Sequence, residues 1–429
     1  MAMVMVTATA TARPRNVRTE SPASSGGERG RRLRGLVIAA LTVPVAVFAL
    51  LFAFANISRN SAPEVVSRIV PFDAMAPLAV TERRLMAEPA AVTAATLRET
   101  ARRSLEGQAV NASAFRLLTF AAAMDRRDNE AERFARLSES MSRRELLTQF
   151  WLIERSVQKG DHRGALSHYD KALRTSLNAY QALFPVLLRA LSDDQIRAEL
   201  IPYIDRNPRW ILSFLLEATG SDATATDSAR LLIEAGSRVD GRVSQAIGPQ
   251  LTTRLINLGE YAIADRYFAS QPGRPLGLMQ ASDLSAVTTD PRWAPFAWHR
   301  VGEGTTLGAA IEAAGGDRQT VRVYAGPGDR GPVLRKWFLL ASGSYRFSER
   351  RRVEIADSGA GMYWELSCYA GKQPTVVWRS GAAVANETRN APGPVIPQGC
   401  SHQSLELVAA GGQGQQGFDA VIEDFRLAR

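Results

Sequence analysis

The sequence predicts a multidomain α + β chain: one N-terminal transmembrane helix, a helical middle and a C-terminal antiparallel β-sandwich. Three observations carry that expectation. Residues 36–55, LVIAALTVPVAVFALLFAFA, run twenty positions without a charge. Residues 80–270 are rich in Ala, Leu, Arg and Glu at helical spacing. From residue 285 onward Gly and Pro punctuate short runs that alternate apolar with polar, the period of a strand with one buried face. The expected segments are a disordered basic cytoplasmic tail (1–34), a transmembrane helix (35–57), a linker (58–79), a helical repeat domain (80–270), a second linker (271–284) and a β-sandwich (285–429).

The apolar stretch comes first. At 1.5 Å rise per residue, twenty residues match the ~30 Å hydrocarbon core of a bilayer. Seven arginines precede it (Arg13, Arg15, Arg18, Arg29, Arg31, Arg32 and Arg34) against only Glu20 and Glu28. Cytoplasmic flanks collect such charge, so the N-terminus is expected inside and the bulk of the chain outside. Ala53-Phe54-Ala55 also fits the small-x-small rule for signal-peptide cleavage, but signal cores run about 7–15 residues and this one is longer. Either reading exports the remainder. The tail accounts for more than half of the formal charge of +9, which leaves too little elsewhere to presume a nucleic-acid surface. Arginine is strongly preferred over lysine, present only at Lys159, Lys171, Lys336 and Lys372. With the alanine richness, that bias suggests a GC-rich bacterial genome, hence an inner-membrane protein with a periplasmic bulk.

In the middle region Arg127–Ser138 and Gly160–Leu173 place Ala131 and Ala165 thirty-four residues apart, and Gly259–Ala269 repeats the pattern near three such lengths further on. This spacing of small residues resembles the second helix of a tetratricopeptide repeat, best at 160–174. The resemblance implies an α-solenoid of about five helical pairs with an extended face for a protein partner. Arg155, His162, Tyr169, Tyr203 and Trp210 are the candidates for that face. Pro185, Pro202, Pro208 and Pro249 are expected to break helices. A generic stack of helical hairpins is the alternative.

In the last region the expected strands are Gln319–Tyr324, Tyr345–Ile355, Met362–Tyr369, Thr375–Trp378, Ser404–Val408 and Phe418–Leu427. Period two puts Met362, Trp364, Leu366 and Cys368 in the core. Cys368 and Cys400 are the only cysteines, and an exported compartment permits a disulfide between them, stabilising by roughly 3–4 kcal/mol in the chain-entropy model. His162, His168, His299 and His402 show no ligand spacing around them, so no metal is expected. The run from Pro295-Phe-Ala-Trp298 through TVRVY and AGPGDRG to Trp337-Phe-Leu-Leu340 resembles a carbohydrate-binding-module jelly roll. Its end, Ala420-Val-Ile-Glu-Asp-Phe-Arg-Leu427, is similar to the closing strand of galactose-binding-like domains, with Glu423 where the family usually has Asp. The resemblance implies a saccharide- or protein-binding module. Trp298, Tyr369 and Trp378 are the candidate sugar-stacking aromatics, with core packing as the alternative for each.

Several motifs lead nowhere. Gly326-x-Gly328-x-x-Gly331 and Gly412-x-Gly414-x-x-Gly417 lack the strand-before, helix-after context of a dinucleotide site and read as hairpin loops. No nucleophile elbow, zinc-protease motif or P-loop occurs, and no cofactor is expected. The expected role is an exported, membrane-anchored scaffold or binding protein, an accessory factor in cell-envelope or exopolysaccharide assembly. Two alternatives stand beside it. One is a glycan-modifying enzyme drawing on Asp357, Glu365, Glu423 and Asp424; the other is a structural scaffold that binds no sugar.

Overall fold

The computed structural model describes residues 27–284, 290–301, 304–313, 319–370, 373–382 and 385–429. Residues 1–26 of the tail expected over 1–34, and the linker–sandwich boundary at 285–289, lie outside the described residues. The chain divides into two compact units, Met1–Met141 and Ser142–Arg429.

The first unit is helical. Helix α1, Gly27–Ser58, contains the apolar stretch, and within it Ala40–Ser58 is long and apolar enough to cross a membrane. Residues 27–34 continue this helix instead of joining a disordered tail, because extending a helix costs far less than starting one. Then come α2 (Pro63–Ile69), α3 (Ala76–Ala87), α4 (Ala94–Gly107), α5 (Ala112–Met124) and α6 (Asp128–Met141). Thr93 and Asn111 cap α4 and α5 by accepting from the N–H three residues on. Leu78, Leu97, Ala101, Leu117 and Ala121 form the core between α3, α4 and α5.

The second unit begins with α7 (Leu146–Gln158), α8 (His162–Thr175), α9 (Asn178–Ala190), α10 (Asp194–Arg206), α11 (Ile211–Gly220), α12 (Ala225–Ala235), α13 (Gly241–Asn257) and α14 (Tyr261–Ala269). The spacing seen in sequence has a backbone counterpart. Arg126, Gly160 and Gly259 all adopt positive φ (59°, 69° and 79°) in the turns of the hairpins α5–α6, α7–α8 and α13–α14. Five residues beyond each lies a buried alanine, Ala131, Ala165 and Ala264. The left-handed residue reverses the chain, and the alanine lets the returning helix pack closely. The prolines correct the sequence reading. Only Pro208 falls between helices; Pro185, Pro202 and Pro249 sit inside α9, α10 and α13. An internal proline costs about 3 kcal/mol. Burial of their neighbours (Phe184 and Leu187; Leu200 and Tyr203; Ile247 and Leu251) offsets that cost.

The sandwich follows: β1 (His299–Arg300), β2 (Leu307–Ala313), β3 (Gln319–Ala325), β4 (Arg330–Phe338), β5 (Gly343–Ala356), β6 (Ala360–Tyr369), β7 (Thr375–Arg379), β8 (Glu387–Ile396), β9 (His402–Gly411) and β10 (Phe418–Ala428). These form two five-stranded antiparallel sheets, β1-β4-β9-β6-β7 and β2-β3-β10-β5-β8. All six expected strands are present, and Met362, Trp364, Leu366 and Cys368 face the core. Between the sheets Trp298, Trp364 and Phe425 meet at centroid distances of 4.4–5.6 Å, with Phe338 and Phe347 around them. Cys368 and Cys400 are bonded, Cα atoms 5.7 Å apart, tying the end of β6 to the turn before β9.

The two glycine strings are not hairpin loops. Residues 326–329 carry the chain from β3 in one sheet to β4 in the other, and 412–417 carry it back from β9 to β10. The two crossings touch: the Gly328 N–H donates to the Gly412 carbonyl at 2.8 Å, and the Gly411 N–H to the Asp329 carbonyl at 2.9 Å. A Cβ on Gly411 would lie 1.8 Å from the Gly326 oxygen, so only glycine fits there.

The core also holds charge. Glu349 and Arg351 point inward from β5 and pair with each other. Arg351 reaches Glu387 and the Ala385 carbonyl as well, and the Trp364 indole N–H donates to Glu349 at 2.9 Å. Fully enclosed, Lys336 donates to the Leu278 and Trp337 carbonyls at 2.8 and 3.2 Å and lies over the Phe338 ring. Its burial pushes the ammonium down from 10.5 to about 7, with Asp283 pulling the other way.

Two outcomes are expected. Glu349→Ala leaves Arg351 with Glu387 as its one carboxylate partner and the Trp364 N–H unpaired in the core, and should cost about 1–3 kcal/mol in denaturant unfolding. For Lys336 the unfolded chain takes up its proton near pH 10.5 and the folded chain only near 7. Stability should therefore fall as pH drops from about 10 to 7 and level off below that. Thermal melts of Lys336→Met should lack this component of the slope.

Candidate functional site

The two sheets differ in what their outer faces meet. On the β1-β4-β9-β6-β7 sheet one end is occupied by α14. Tyr261 stacks on His402 at 4.7 Å and meets Tyr369 edge-on at 6.3 Å, while the Asp265 carboxylate lies 2.9 Å from His402 Nε2. The outer face of the other sheet carries two adjoining depressions, of about 290 and 650 Å³.

Alternation builds this face. In β3, Val321 and Val323 are buried, so Thr320, Arg322 and Tyr324 turn outward. In β5, Arg346, Ser348, Arg350, Arg352 and Glu354 do the same, opposite Phe347 and the inward pair Glu349–Arg351. Strand β10 lies between β3 and β5, and its bulge at Ile422–Asp424 leaves Glu423 beside Arg350. The smaller depression is lined by Glu312, Thr320, Arg322, Arg350, Glu354 and Glu423, among others. The larger continues along β5 and β8 past Arg346, Ser348, Asn390 and Pro392.

The charges are cross-strand pairs. Arg322 makes a fork to Asp419 at 2.8–3.3 Å and reaches Glu354 at 3.0 Å. Asp419 beside it raises the Arg322 guanidinium further above its ordinary range. Arg350 donates to Glu423 at 3.0 Å and Arg352 to Glu354 at 3.2 Å. At the β2 end, the Tyr324 ring covers Gly308: a Cβ there would lie 2.6 Å from the tyrosine oxygen. Donors and acceptors thus stand at fixed positions with one flat ring beside them, an arrangement able to hydrogen-bond a polyhydroxylated chain.

None of the residues expected to stack on sugars lies here. Trp298 is 1% exposed in the aromatic core, its indole N–H donating to the Asp283 carbonyl. Trp378 faces inward at the edge and meets Phe347 at 5.3 Å. Tyr369 lies between Trp337 and Tyr261. Trp298 offers no ring face to a ligand, and the bland alternative of core packing describes it. Burial likewise removes most of the expected partner face. Tyr169, Tyr203 and Trp210 belong to the helical core, the last with its N–H on Asp170, which leaves Arg155 and His162 partly exposed. An open groove of about 560 Å³ runs instead past Gln250, Thr253, Arg254 and Asn257 on α13 and Asp222 before α12.

Of the carboxylates named for catalysis, only Glu423 and Asp424 stand together, as neighbours on β10. Glu365 points outward from β6, paired with Arg379, while Glu423 and Asp424 lie on the outer face of the opposite sheet. Packed sheets stand about 10 Å apart, beyond the separation at which two carboxyls flank a glycosidic bond. Asp357 accepts the Gln416 and Gly417 N–H groups at 2.7 and 2.6 Å and holds the returning crossover. Among the described residues no group of three His, Cys, Asp or Glu is arranged to hold a metal.

No family model and no curated protein sequence matches the chain. Among solved structures, the chain is similar to TmCBM61 in complex with β-1,4-galactotriose: 18% identity over 31% of this chain and 88% of that one, TM-score 0.21. It is also similar to the CBM22-1 xylan-binding domain of Paenibacillus barcinonensis Xyn10C, at 12% identity over 35% and 92%, TM-score 0.25. The C-terminal family 22 carbohydrate-binding module of Clostridium thermocellum Xyn10B shares 10% identity over 36% and 96%, TM-score 0.24. At such scores these likenesses carry no argument, and the sandwich is defined by its own strand order and register.

Because the ion pairs of the open face are solvent-exposed, each contributes about 0–1 kcal/mol. Arg322→Gln and Arg350→Gln should shift the thermal midpoint by no more than a few degrees. A larger shift in differential scanning fluorimetry would mark the face as part of the stability of the sandwich.

Proposed function

We propose that this protein is a membrane-anchored, exported binding protein of the bacterial envelope whose β-sandwich holds a polysaccharide on the open face of the β2-β3-β10-β5-β8 sheet. It serves as an accessory factor in envelope or exopolysaccharide assembly. The observation that carries the reading is the trough itself: two adjoining depressions lined by Arg, Glu, Asn, Ser and Thr on rigid strands. Sugar hydroxyls both donate and accept, and fixed arginine–carboxylate pairs present both partners without reorganisation. The apolar helix α1 and the Cys368–Cys400 bond support export with an anchor. Orientation follows the arginine-rich tail, with the N-terminus in the cytoplasm and the bulk in the periplasm. The helical hairpins form a tetratricopeptide-like scaffold that holds a protein partner along the α13 groove.

The structural scaffold is favoured by one observation: Arg322, Arg350 and Arg352 already have carboxylate partners within the chain. Affinity electrophoresis of the detergent-solubilised full chain separates the readings. The gels would contain neutral β-1,4-linked polysaccharides or acidic exopolysaccharides. Binding predicts retardation by at least one polymer, reduced several-fold in Arg322→Gln/Arg350→Gln with the melting profile kept. Equal migration of wild type in every gel would leave the scaffold reading.

A further inference from the structure

The apolar surface of the chain does not stop where the candidate span stops. Beyond Ser58 the chain turns through 59–62, forms α2, and turns again through residues 70–75 into α3. This elbow folds back along the exit half of α1. Leu51, Phe54 and Ala55 of α1 pack on Val66, Val70 and Ala76, and Phe48 stacks on Phe72 with centroids 5.3 Å apart. Phe48 lies ten residues before the end of α1, about 15 Å along a helix axis. The elbow therefore runs beside membrane-crossing helix, and does not lead away from it as a linker would.

Its outward side is apolar. Val65, Ile69 and Phe72, spaced i, i+4 and i+7, are 45%, 50% and 50% exposed, and Ile57 beside them is 80% exposed. They continue, with no break in the fold, the exposed apolar surface of the span itself, Leu41 to Phe52. Apart from Arg68, the charged groups of the elbow are paired. Arg59 donates to Asp73 at 2.6 Å, and the other Asp73 oxygen accepts the Met75 and Ala76 N–H groups at 2.9 and 2.7 Å. Arg83 of α3 takes the Asn60 and Ser61 carbonyls at 2.7 and 3.0 Å and pairs with Glu64 at 3.2 Å. An internally paired turn with a three-residue apolar stripe is what the boundary between headgroups and acyl chains requires, where unpaired backbone and charge are costly.

We propose that residues 57–72 form a membrane-embedded foot: the stripe Val65, Ile69 and Phe72, with Ile57 beside it, lies in the lipid of the same bilayer that α1 crosses, about 5–10 Å into the headgroup–acyl boundary. The foot rests on the reading of α1 as an anchor and adds to it a fixed orientation. A single span leaves the chain free to swivel, whereas a second contact beside it sets the tilt at which α3 leaves the membrane. Arg68, exposed at the end of α2, faces the anionic headgroups.

Site-directed spin labelling of the full chain in phosphatidylcholine–phosphatidylglycerol vesicles tests this. The native cysteines are bonded to each other, so single labels can be placed through Val45→Cys, Val65→Cys, Ile69→Cys, Phe72→Cys and Glu64→Cys. Collision rates with oxygen and with a water-soluble nickel complex then report depth. The expected result is an oxygen-to-nickel ratio several-fold higher at 45, 65, 69 and 72 than at 64. Labels at 65 and 69 keep the Phe48–Phe72 stack, so the test stands even if the label at 72 disturbs packing. Lipid exposure at 45 with water exposure at 65 and 69 would overturn the foot and leave the anchor. Water exposure at 45 would overturn the anchor reading. Protection at 65 and 69 that brings dipolar broadening between labels, growing with the protein-to-lipid ratio, would assign the stripe to a second copy of the chain and overturn the lipid contact.

Discussion

The sandwich depends on a backbone contact that tolerates no side chain. Strand β9 is the middle strand of one sheet and β10 of the other, and the turn between them is the 412–417 crossover. That crossover rests on the 326–329 crossing so closely that a methyl group at Gly411 or Gly417 would overlap backbone oxygens of residues 325–326. Asp357 then takes two N–H groups of the same loop. Each sheet thus has its middle strand delivered at a fixed position. The register of β10 against both β3 and β5, and so the alignment of the open face, follows from it. Polar residues on a sheet face are useful for recognition only if neighbouring strands hold them in constant relative positions.

Charge inside the sandwich serves the same end. Trp364 of one sheet donates to Glu349 of the other, so the two layers are joined by a directional contact as well as by apolar packing. Replacing such a network by apolar residues is often neutral or stabilising. Its value here lies in register. A one-residue slip of β5 would expel Phe347, Glu349 and Arg351 and bury Arg350 and Arg352 without partners. The inward Glu349–Arg351 pair and the outward Arg350–Arg352 pair specify the same alignment from opposite faces. The trough on the outer face depends on the ion pair within.

The strands legible in the sequence were those whose alternation is plain, as in TVRVY and MYWELSC. The four that escaped have physical reasons. β1 is only two residues long. β2, LGAAIEA, has little side-chain contrast, and its Gly308 is covered by Tyr324 from the neighbouring strand. In β4 one inward position is Lys336, and Gly331-Pro332 reads as a turn although both residues pair with β9, the bulge following them at Val333. β8 contains Pro392, Gly393 and Pro394, which an edge strand accepts. The proline misreadings have a similar origin: a proline in a helix removes one hydrogen bond, and tertiary burial outweighs it. The open face was also within reach. The pattern that buries Val321 and Val323 assigns Arg322 and Tyr324 outward, whereas large aromatics near loop ends, such as Trp298, Tyr369 and Trp378, are most often core. Sequence could not supply the partners of Arg322 and Arg350, because those pairs span 32–97 residues.

The elbow after α1 shows a related limit. Residues 58–79 carry Pro63, Pro71 and Pro77, and proline punctuation ordinarily marks a linker. Two of those prolines instead lie at the starts of α2 and α3, where a missing N–H is no loss. The short helix between them is too brief to show a periodic signal, so its apolar stripe is visible only once Phe72 is seen against Phe48. What reads locally as a flexible spacer is held by Asp73 at both of its oxygens and by three bonds from Arg83. A segment restrained in this way at the end of an apolar helix couples the direction of α3 to that of α1.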